Sequence, residues 1–291
     1  MADGDKVVDQ TLETSVGLFR DGKLDRRGLI KSVVTLTGGY AAAHMFLESS
    51  GLAGGLISTL EAQAAGVDAE TIKYASGAVQ VEGYLVKPRG AGPFPAVIVI
   101  HENRGLNEHT RDVARRFAAE GFVALAPDLL SRLGGTASMK TVPEATAAIG
   151  RLPVFAAIAD LREGFNYLSK HAAVNPQRIS ALGFCWGGWR SFTVATQVPE
   201  LAKAVVFYGS TPDMGLENIK APVLAHYASR DRAITGNSQW TAREMKRLGK
   251  SYTFYIYDDT DHAFFNDTGG ERFNPVASKL AWARTLEFLR S

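Results

Sequence analysis

The spacing of hydrophobic and polar positions predicts an alternation of strands and helices from about residue 70 onward. Residues 71–75 and 79–88 predict an opening antiparallel strand pair. Residues 95–101 form a continuous apolar run, which is typical of a strand covered on both faces. Further strands are predicted at residues 122–128, 178–184, 201–209, 222–227 and 252–257. Helices are predicted at residues 107–121, 154–171, from 186 onward, 237–248 and 277–290. This order predicts an α/β protein with a mainly parallel sheet and helices on both faces.

Residues 130–150 interrupt this alternation. Gly134, Gly135 and Pro143 are residues that favour turns, so we expect a loop over this range. In an open parallel sheet, functional sites lie at the carboxyl ends of the strands. Because the range follows directly after a predicted strand, the loop is expected beside the site.

Residues 1–68 differ from the rest and are expected to form an N-terminal extension to a catalytic domain at 69–291. Arg26 and Arg27 precede a weakly apolar stretch at 32–47 and the small-x-small sequence of residues 62–64. This order resembles a twin-arginine export signal. Under this interpretation, the mature protein is periplasmic.

A retained helical appendage is the other interpretation of the extension. Leu29, Val33, Val34 and Tyr40 can line one face of a helix that packs on the catalytic domain. Retention in the cytoplasm is our first expectation, and twin-arginine export remains the alternative.

Composition and charge exclude several functional classes. The 291 residues are 46% hydrophobic, which is ample for a core, and 32 basic against 30 acidic residues leave a net charge of +2. This balance creates no global field that would recruit nucleic acid or an anionic membrane. No apolar run reaches the length of a membrane span. Cys185 is the single cysteine, so an intrachain disulfide and a cysteine-based metal cluster are both excluded.

Cys185 lies on a predicted tight turn between a strand and a helix. Gly183 and Gly187 stand two positions before and after it, as in the G-x-S-x-G nucleophile elbow, with cysteine in place of serine. In such a turn, the amide of the next residue, Trp186, points at the bound carbonyl oxygen. A buried structural cysteine is the alternative, but the order strand, turn, glycines and helix favours a nucleophile.

A thiol nucleophile requires a histidine base and an acid that orients it. Of the two histidines after Cys185, His226 lies inside an apolar strand, whereas His262 follows the final strand in a turn-rich stretch. We therefore predict His262 as the base. Asp231 directly follows the strand at 222–227 and is the predicted acid, with Asp213 as its rival.

Residues 101–107 end another predicted strand and therefore face the same crevice. The amide of Asn103 is expected to be the second oxyanion donor. Glu102 carries a carboxylate at the end of a buried strand, which is costly without a partner or a role. Its structural partner would be Arg104 or Arg190, and its functional partner would be the thiol of Cys185.

Over residues 75–291 the chain resembles the dienelactone hydrolase (carboxymethylenebutenolidase) family, especially bacterial members with an extended N-terminus. The resemblance rests on HENRGLN at 101–107, APDLLSR at 126–132, GFCWGG at 183–188, SRD at 229–231 and DHAFFND at 261–267. It implies an α/β-hydrolase fold with Cys185, Asp231 and His262 as a catalytic triad.

The same resemblance implies roles for three further side chains. Glu102 matches the family glutamate that holds the resting thiol and takes its proton when substrate binds. Arg132 matches one of two arginines that bind the dienelactone carboxylate, and Asn266 stands where the second is found. Because this halves a bidentate arginine clamp, dienelactone itself is in doubt as the natural substrate.

The sequence therefore predicts a cysteine-dependent hydrolase of small esters or lactones that acts through a thioester. The predicted partner is a small-molecule substrate, without nucleic acid, a membrane span, a metal or another cofactor. Assembly into a homo-oligomer is compatible with the sequence. The alternative is a non-catalytic binding or scaffold protein that retains the fold.

Overall fold

The computed structural model describes residues 2–21, 23–24, 26–37, 43, 46–47, 50 and 66–291. The chain divides into two compact units, Met1–Gly66 and Val67–Ser291. The division lies two residues before the boundary expected from the sequence because the first strand begins at Val67.

In the first unit, the described residues include two helices, α1 (Ala2–Arg20) and α2 (Arg26–Thr37). Leu29 and Val33 of α2 are fully buried in a small apolar cluster with Leu12 and Val16 of α1. Val34 packs against this cluster. The remaining residue of the predicted helix face, Tyr40, and the small-x-small sequence at 62–64 lie outside the described residues.

The second unit is built on an eight-stranded sheet in the order β1-β2-β4-β3-β5-β6-β7-β8. Its strands are β1 Val67–Ser76, β2 Val79–Pro88, β3 Phe94–Ile100, β4 Val123–Pro127, β5 Val174–Phe184, β6 Ala204–Phe207, β7 Val223–Ala228 and β8 Tyr252–Tyr257. Both pairings of β2, with β1 and with β4, are antiparallel. All other neighbouring pairs are parallel. The predicted mainly parallel α/β architecture is confirmed.

Helices cover both faces of the sheet. They are α3 Glu108–Ala119, α4 Val142–Arg151, α5 Val154–Ser169, α6 Trp186–Gln197, the short α7 Arg232–Thr235, α8 Ser238–Arg247 and α9 Pro275–Arg290. One core includes residues of α5, α6 and α8 with the sheet, and a second includes residues of α3 and α9. Among the described residues, no single helix is long and apolar enough to cross a membrane; only α4 and α5 taken together, bent by 96°, meet the length and composition criteria.

The loop predicted over residues 130–150 is wrong for its second half. Two short 3-10 turns, Ser131–Leu133 and Thr136–Ser138, are followed by the helix α4. The hydroxyl of Thr141 accepts a hydrogen bond from the amide of Glu144 at 3.3 Å and caps the helix. Pro143 lies in the first helical turn, where its missing N–H has no carbonyl partner to lose. Proline therefore begins a helix here.

Candidate active site

Cys185 occupies a strained turn between β5 and α6. Its φ of 55° and ψ of −117° lie where residues with a side chain are rarely found. A Cβ on Gly183 would lie 1.9 Å from the carbonyl oxygen of Gly187, and a Cβ on Gly187 would lie 2.4 Å from that of His101. Both clashes involve backbone atoms, so the turn requires glycine on each side. The Cys185 side chain is partly exposed at the carboxyl edge of the sheet.

Asp231 and His262 meet at the same edge. His262 Nδ1 lies 2.5 Å from Asp231 Oδ2, which leaves Nε2 as the nitrogen available to Cys185. Burial opposes a charge on the imidazole, but its hydrogen bonds to Asp231 and Cys185 outweigh that effect and raise the pKa of His262 to about 10. The imidazole is therefore protonated at neutral pH while the sulfur lies beside it.

The alternative base and acid, His226 and Asp213, both lie away from Cys185. His226 is fully buried in β7, where Nδ1 contacts the hydroxyl of Tyr257 at 2.9 Å and Nε2 contacts that of Thr285 at 3.0 Å. Burial lowers the pKa of His226 to about 3, so its ring is neutral. Asp213 lines a separate surface groove with Trp189. Asp231, and not Asp213, contacts His262.

A cavity of about 200 Å³ opens onto the sulfur. It is lined by Glu102, Asn103, Arg104, Val142, Thr146, Cys185, His262, Ala263 and Arg272. Val142 and Thr146 belong to α4, so the segment predicted as a loop does lie beside the site, as a helix. This volume suits the reacting part of a small molecule.

Glu102 is held by hydrogen bonds and forms no ion pair among the described residues. Asn266 Nδ2 donates to its Oε2 at 2.8 Å, and the hydroxyl of Tyr208 donates to its Oε1 at 3.4 Å. The sequence offered Arg104 and Arg190 as structural partners, but neither pairs with the carboxylate. Asn266 is only 2% exposed and is absent from the cavity lining, so it contacts Glu102 where a substrate contact was expected.

Sequence reasoning missed Tyr208. Its ring lies 5.1 Å from that of His262 and is fully buried. Burial and the nearby carboxylate of Glu102 raise the pKa of Tyr208 well above its usual value, so it remains a phenol that can donate a hydrogen bond. Its position directly after β6, at the functional edge of the sheet, was the available signal. Its φ of 38° is a tertiary feature that the sequence does not show.

The structure does not bring Arg132 into the cavity. Its Nε and Nη2 donate to both carboxylate oxygens of Asp160 in α5, at 2.8 and 2.7 Å. Nη2 also donates to the hydroxyl of Ser76 at 3.1 Å. Asp160 is fully buried, so this bidentate pair neutralises a carboxylate that would be costly to leave alone. The guanidinium is committed to the fold.

Two other arginines line the cavity. Arg104 follows β3 in the turn at 101–107, and Arg272 follows the loop that carries His262. Arg104 is partly exposed and Arg272 is exposed, and neither forms an ion pair or hydrogen bond with any other described residue. Their guanidinium groups are therefore available to a ligand, in contrast to that of Arg132.

Backbone amides near the sulfur belong to the two segments expected to form the oxyanion hole. Trp186 is the first residue of α6, so its amide has no carbonyl partner inside the helix. Asn103 lies in the turn after β3 and lines the cavity. The arrangement combines a cysteine on a strained turn, a partly buried His–Asp pair and a helix N-terminus at the carboxyl edge of a mainly parallel sheet. Together these define an α/β-hydrolase.

Comparison with known proteins identifies the family. Residues 81–291 match the model of the dienelactone hydrolase family. A protein of Escherichia coli K12 assigned as a carboxymethylenebutenolidase is 31% identical over 221 residues, covering 71% of this chain and 81% of its own length. A Bradyrhizobium protein assigned as a 2-oxo-3-(5-oxofuran-2-ylidene)propanoate lactonase is 32% identical, covering 71% and 88%.

The solved structures agree. The crystal structure of a protein assigned as a dienelactone hydrolase from Klebsiella pneumoniae superposes with a TM-score of 0.72 at 27% identity, covering 78% of this chain and 99% of that one. The chain belongs to the dienelactone hydrolase family. It is a hydrolase of carboxylic ester or lactone bonds, which sets aside the non-catalytic scaffold.

Proposed function

We propose that the protein hydrolyses small esters or lactones through a thioester on Cys185, with His262 and Asp231 completing a catalytic triad. The observation that carries the proposal is the 2.5 Å contact between His262 and Asp231 beside a cysteine held on a strained turn. A base oriented by an acid, and a nucleophile raised above the sheet edge, are the parts that acyl transfer needs.

The first half of the reaction acylates the sulfur. When substrate enters, Glu102 accepts the thiol proton, and the thiolate attacks the carbonyl carbon. The amides of Trp186 and Asn103 stabilise the oxyanion of the tetrahedral intermediate. As this collapses, the bond to the leaving oxygen breaks, and protonated His262 gives its proton to that oxygen. The products are a thioester and an alcohol, which stays attached to the acyl group if the substrate is a lactone.

The second half hydrolyses the thioester. Acylation removes the contribution of the Cys185 sulfur to the raised pKa of His262, so the imidazole can act as a neutral base. His262 takes a proton from water as the water oxygen attacks the thioester carbon. The carbon–sulfur bond breaks, the acid leaves, and Glu102 returns its proton to the sulfur. Asp231 keeps Nδ1 protonated and the ring oriented throughout.

The thioester provides a direct test. The wild-type protein, quenched with acid during turnover of p-nitrophenyl acetate, should carry an acetyl group on the peptide that contains Cys185, detected by mass spectrometry and released by hydroxylamine. In His262→Ala, an acetyl group on Cys185 should persist longer than in the wild type, because deacylation lacks its base. Turnover without any adduct on Cys185, or an adduct on another residue, would contradict the mechanism.

We further propose that Arg104 and Arg272 bind an anionic group of the substrate, the task that the family resemblance assigned to Arg132 and Asn266. The support is that both line the cavity and have no ion-pair partner among the described residues, while Arg132 is paired with Asp160. A planar guanidinium binds a carboxylate through two parallel hydrogen bonds. Esters or lactones that carry a carboxylate near the reacting carbonyl are therefore the expected substrates.

Substitution of Arg272 should change selectivity between esters. Arg272→Gln should lower kcat/KM about 10- to 100-fold for a p-nitrophenyl ester that carries a carboxylate, since a charged hydrogen bond contributes about 1.5–3 kcal/mol. For neutral p-nitrophenyl acetate, kcat/KM should change by less than about twofold. Arg247→Gln, an exposed arginine on α8, is the charge-matched control. An equal loss on both esters would show that Arg272 supports the site without recognising charge.

A further inference from the structure

Arg190 of α6 is a buried cation that forms no ion pair with any residue that the structure describes. The residue is 2% exposed, and its Nε and Nη1 have no hydrogen-bond partner among the described residues. Burial lowers the pKa of Arg190 to about 10, so the guanidinium still carries its charge at neutral pH. Burying a charge without a partner is costly. What the charge contributes at this position is therefore indicated by its contacts.

The guanidinium is in contact with aromatic rings. Its central carbon lies 3.9 Å from the ring centre of Trp189 and 4.4 Å from that of Trp186. Both distances are within the range of a cation–π interaction, and tryptophan is the strongest aromatic partner. Trp186 and Arg190 are four residues apart on one helix, which places their side chains on the same face. Arg190 therefore holds the indole of Trp186.

The indole of Trp186 also contacts His101, which directly follows β3. It stacks on the ring of His101, with centroids 5.6 Å apart and planes 7° from parallel. His101 Nε2 accepts a hydrogen bond from the amide of Leu129 at 3.2 Å, so its proton is on Nδ1. Nδ1 then donates to the carbonyl oxygen of Glu102 at 2.7 Å. The imidazole ring is thereby fixed at both nitrogens.

This hydrogen bond also orients the amide of Asn103. The carbonyl of Glu102 and the N–H of Asn103 belong to one planar peptide unit and point in opposite directions. His101 therefore sets the direction of the Asn103 N–H, and the amide of Trp186 belongs to the residue stacked on that same ring. Both proposed oxyanion donors are attached to a single column formed by Arg190, Trp186 and His101.

We propose that Arg190 is a positioning residue of the oxyanion hole, which acts by holding Trp186 against His101 through a cation–π contact. The proposal rests on the thioester mechanism above, because it assigns Arg190 to the two amides that stabilise the intermediate. Donors must be held within a few tenths of an ångström to stabilise the oxyanion fully. Arg190 touches neither the substrate nor Cys185 in this role.

Stability and activity should respond to Arg190 in opposite ways. Arg190→Met removes the charge and keeps an unbranched apolar side chain, so its Tm should equal or exceed that of the wild type, since replacing a buried unpaired charge removes a cost. For p-nitrophenyl acetate, kcat should fall about tenfold or more while KM changes by less than about twofold. Arg190→Lys retains a cation over the indole and should restore part of the lost kcat. Arg162→Met, an exposed arginine on α5, is the control.

The alkylation of Cys185 separates this role from damage to the nucleophile. Iodoacetamide reacts at a saturated carbon and develops no oxyanion, so Arg190→Met should alkylate at the wild-type rate while its acylation is slow. Slower alkylation and a lower Tm together with the loss of kcat, without rescue by Arg190→Lys, would make Arg190 a structural residue and overturn the proposal. Wild-type kcat in Arg190→Met would also overturn it.

These outcomes differ from a failure of the mechanism itself. If wild-type protein forms no acyl group on Cys185, the thioester mechanism fails before Arg190 is tested. If the wild type is acylated and hydrolyses ester, while Arg190→Met does so equally well, only the role of Arg190 is wrong.

Discussion

Cys185→Ala should leave a folded protein whose ester hydrolysis falls at least about 1,000-fold, to the background rate. Alanine fits the strained turn because its side chain is smaller than that of cysteine, so Tm should change by only a few degrees. No other described residue on the cavity wall offers a comparable nucleophile. The measurement is the initial rate with p-nitrophenyl acetate, with circular dichroism as the check on folding. His262→Ala should lose activity to a similar degree.

His226→Ala is the matched control for the histidine assignment. Removing this ring leaves a cavity in β7 and takes hydrogen-bond partners from Tyr257 and Thr285, which should cost about 2–4 kcal/mol of unfolding free energy. Turnover per folded molecule should stay close to that of the wild type. If His226→Ala abolished turnover with its Tm intact, or if Cys185→Ala kept its activity, the triad assignment would be wrong.

Glu102→Gln should make the resting enzyme more reactive to iodoacetamide and less active on esters. A carboxylate that lines the same cavity as the sulfur repels a thiolate, and this repulsion is lost with the charge. The amide can keep both contacts, since its oxygen accepts from Asn266 and its nitrogen donates to the hydroxyl of Tyr208. Turnover should fall about 100-fold or more because the acceptor of the thiol proton is gone.

The measurement is the alkylation rate against pH for wild type and variant, with ester hydrolysis followed in parallel. Glu200→Gln, on the protein surface, controls for the loss of one negative charge. Identical pH profiles of alkylation and equal turnover in wild type and Glu102→Gln would remove Glu102 from the mechanism. Faster alkylation with undiminished turnover would support the electrostatic effect of Glu102 on the thiol and would contradict its role as proton acceptor.

The sheet was predictable because its determinants are local. Buried parallel strands need continuous apolar runs such as residues 95–101, and the helices between them need one apolar face. The helix at 142–151 was not predicted because proline has two opposite effects. It breaks a helix when it lies in the interior, but it is favoured in the first turn, where Pro143 lies. The capping hydrogen bond that the Thr141 hydroxyl accepts from the amide of Glu144 distinguishes the two cases and is visible only in the structure.

The candidate site was likewise predictable only in part from the sequence. The turn at Cys185 could be predicted because it requires a glycine on each side. A side chain at Gly183 would clash with backbone four to five residues away, and one at Gly187 would clash with backbone at the end of the adjacent strand. Chain order after the nucleophile also pointed to Asp231 and His262, since strands of a parallel sheet bring their carboxyl ends to one edge. Tyr208 was missed because nothing in its neighbourhood in the sequence indicates contact with Glu102.

The amino-acid sequence by itself determined the architecture, the tight turn at Cys185 and the edge of the sheet at which the candidate site lies, since these depend on short-range periodicity and backbone sterics. Only the tertiary structure decided which charged side chains are available there. Arg132 is paired with Asp160, Asn266 with Glu102, and Arg190 lies against two indoles. Arg104 and Arg272, in contrast, line the cavity without an ion-pair partner in the described part of the chain. An ion pair or a stack is a contact between distant segments, and its energy depends on distance and burial that the sequence does not contain.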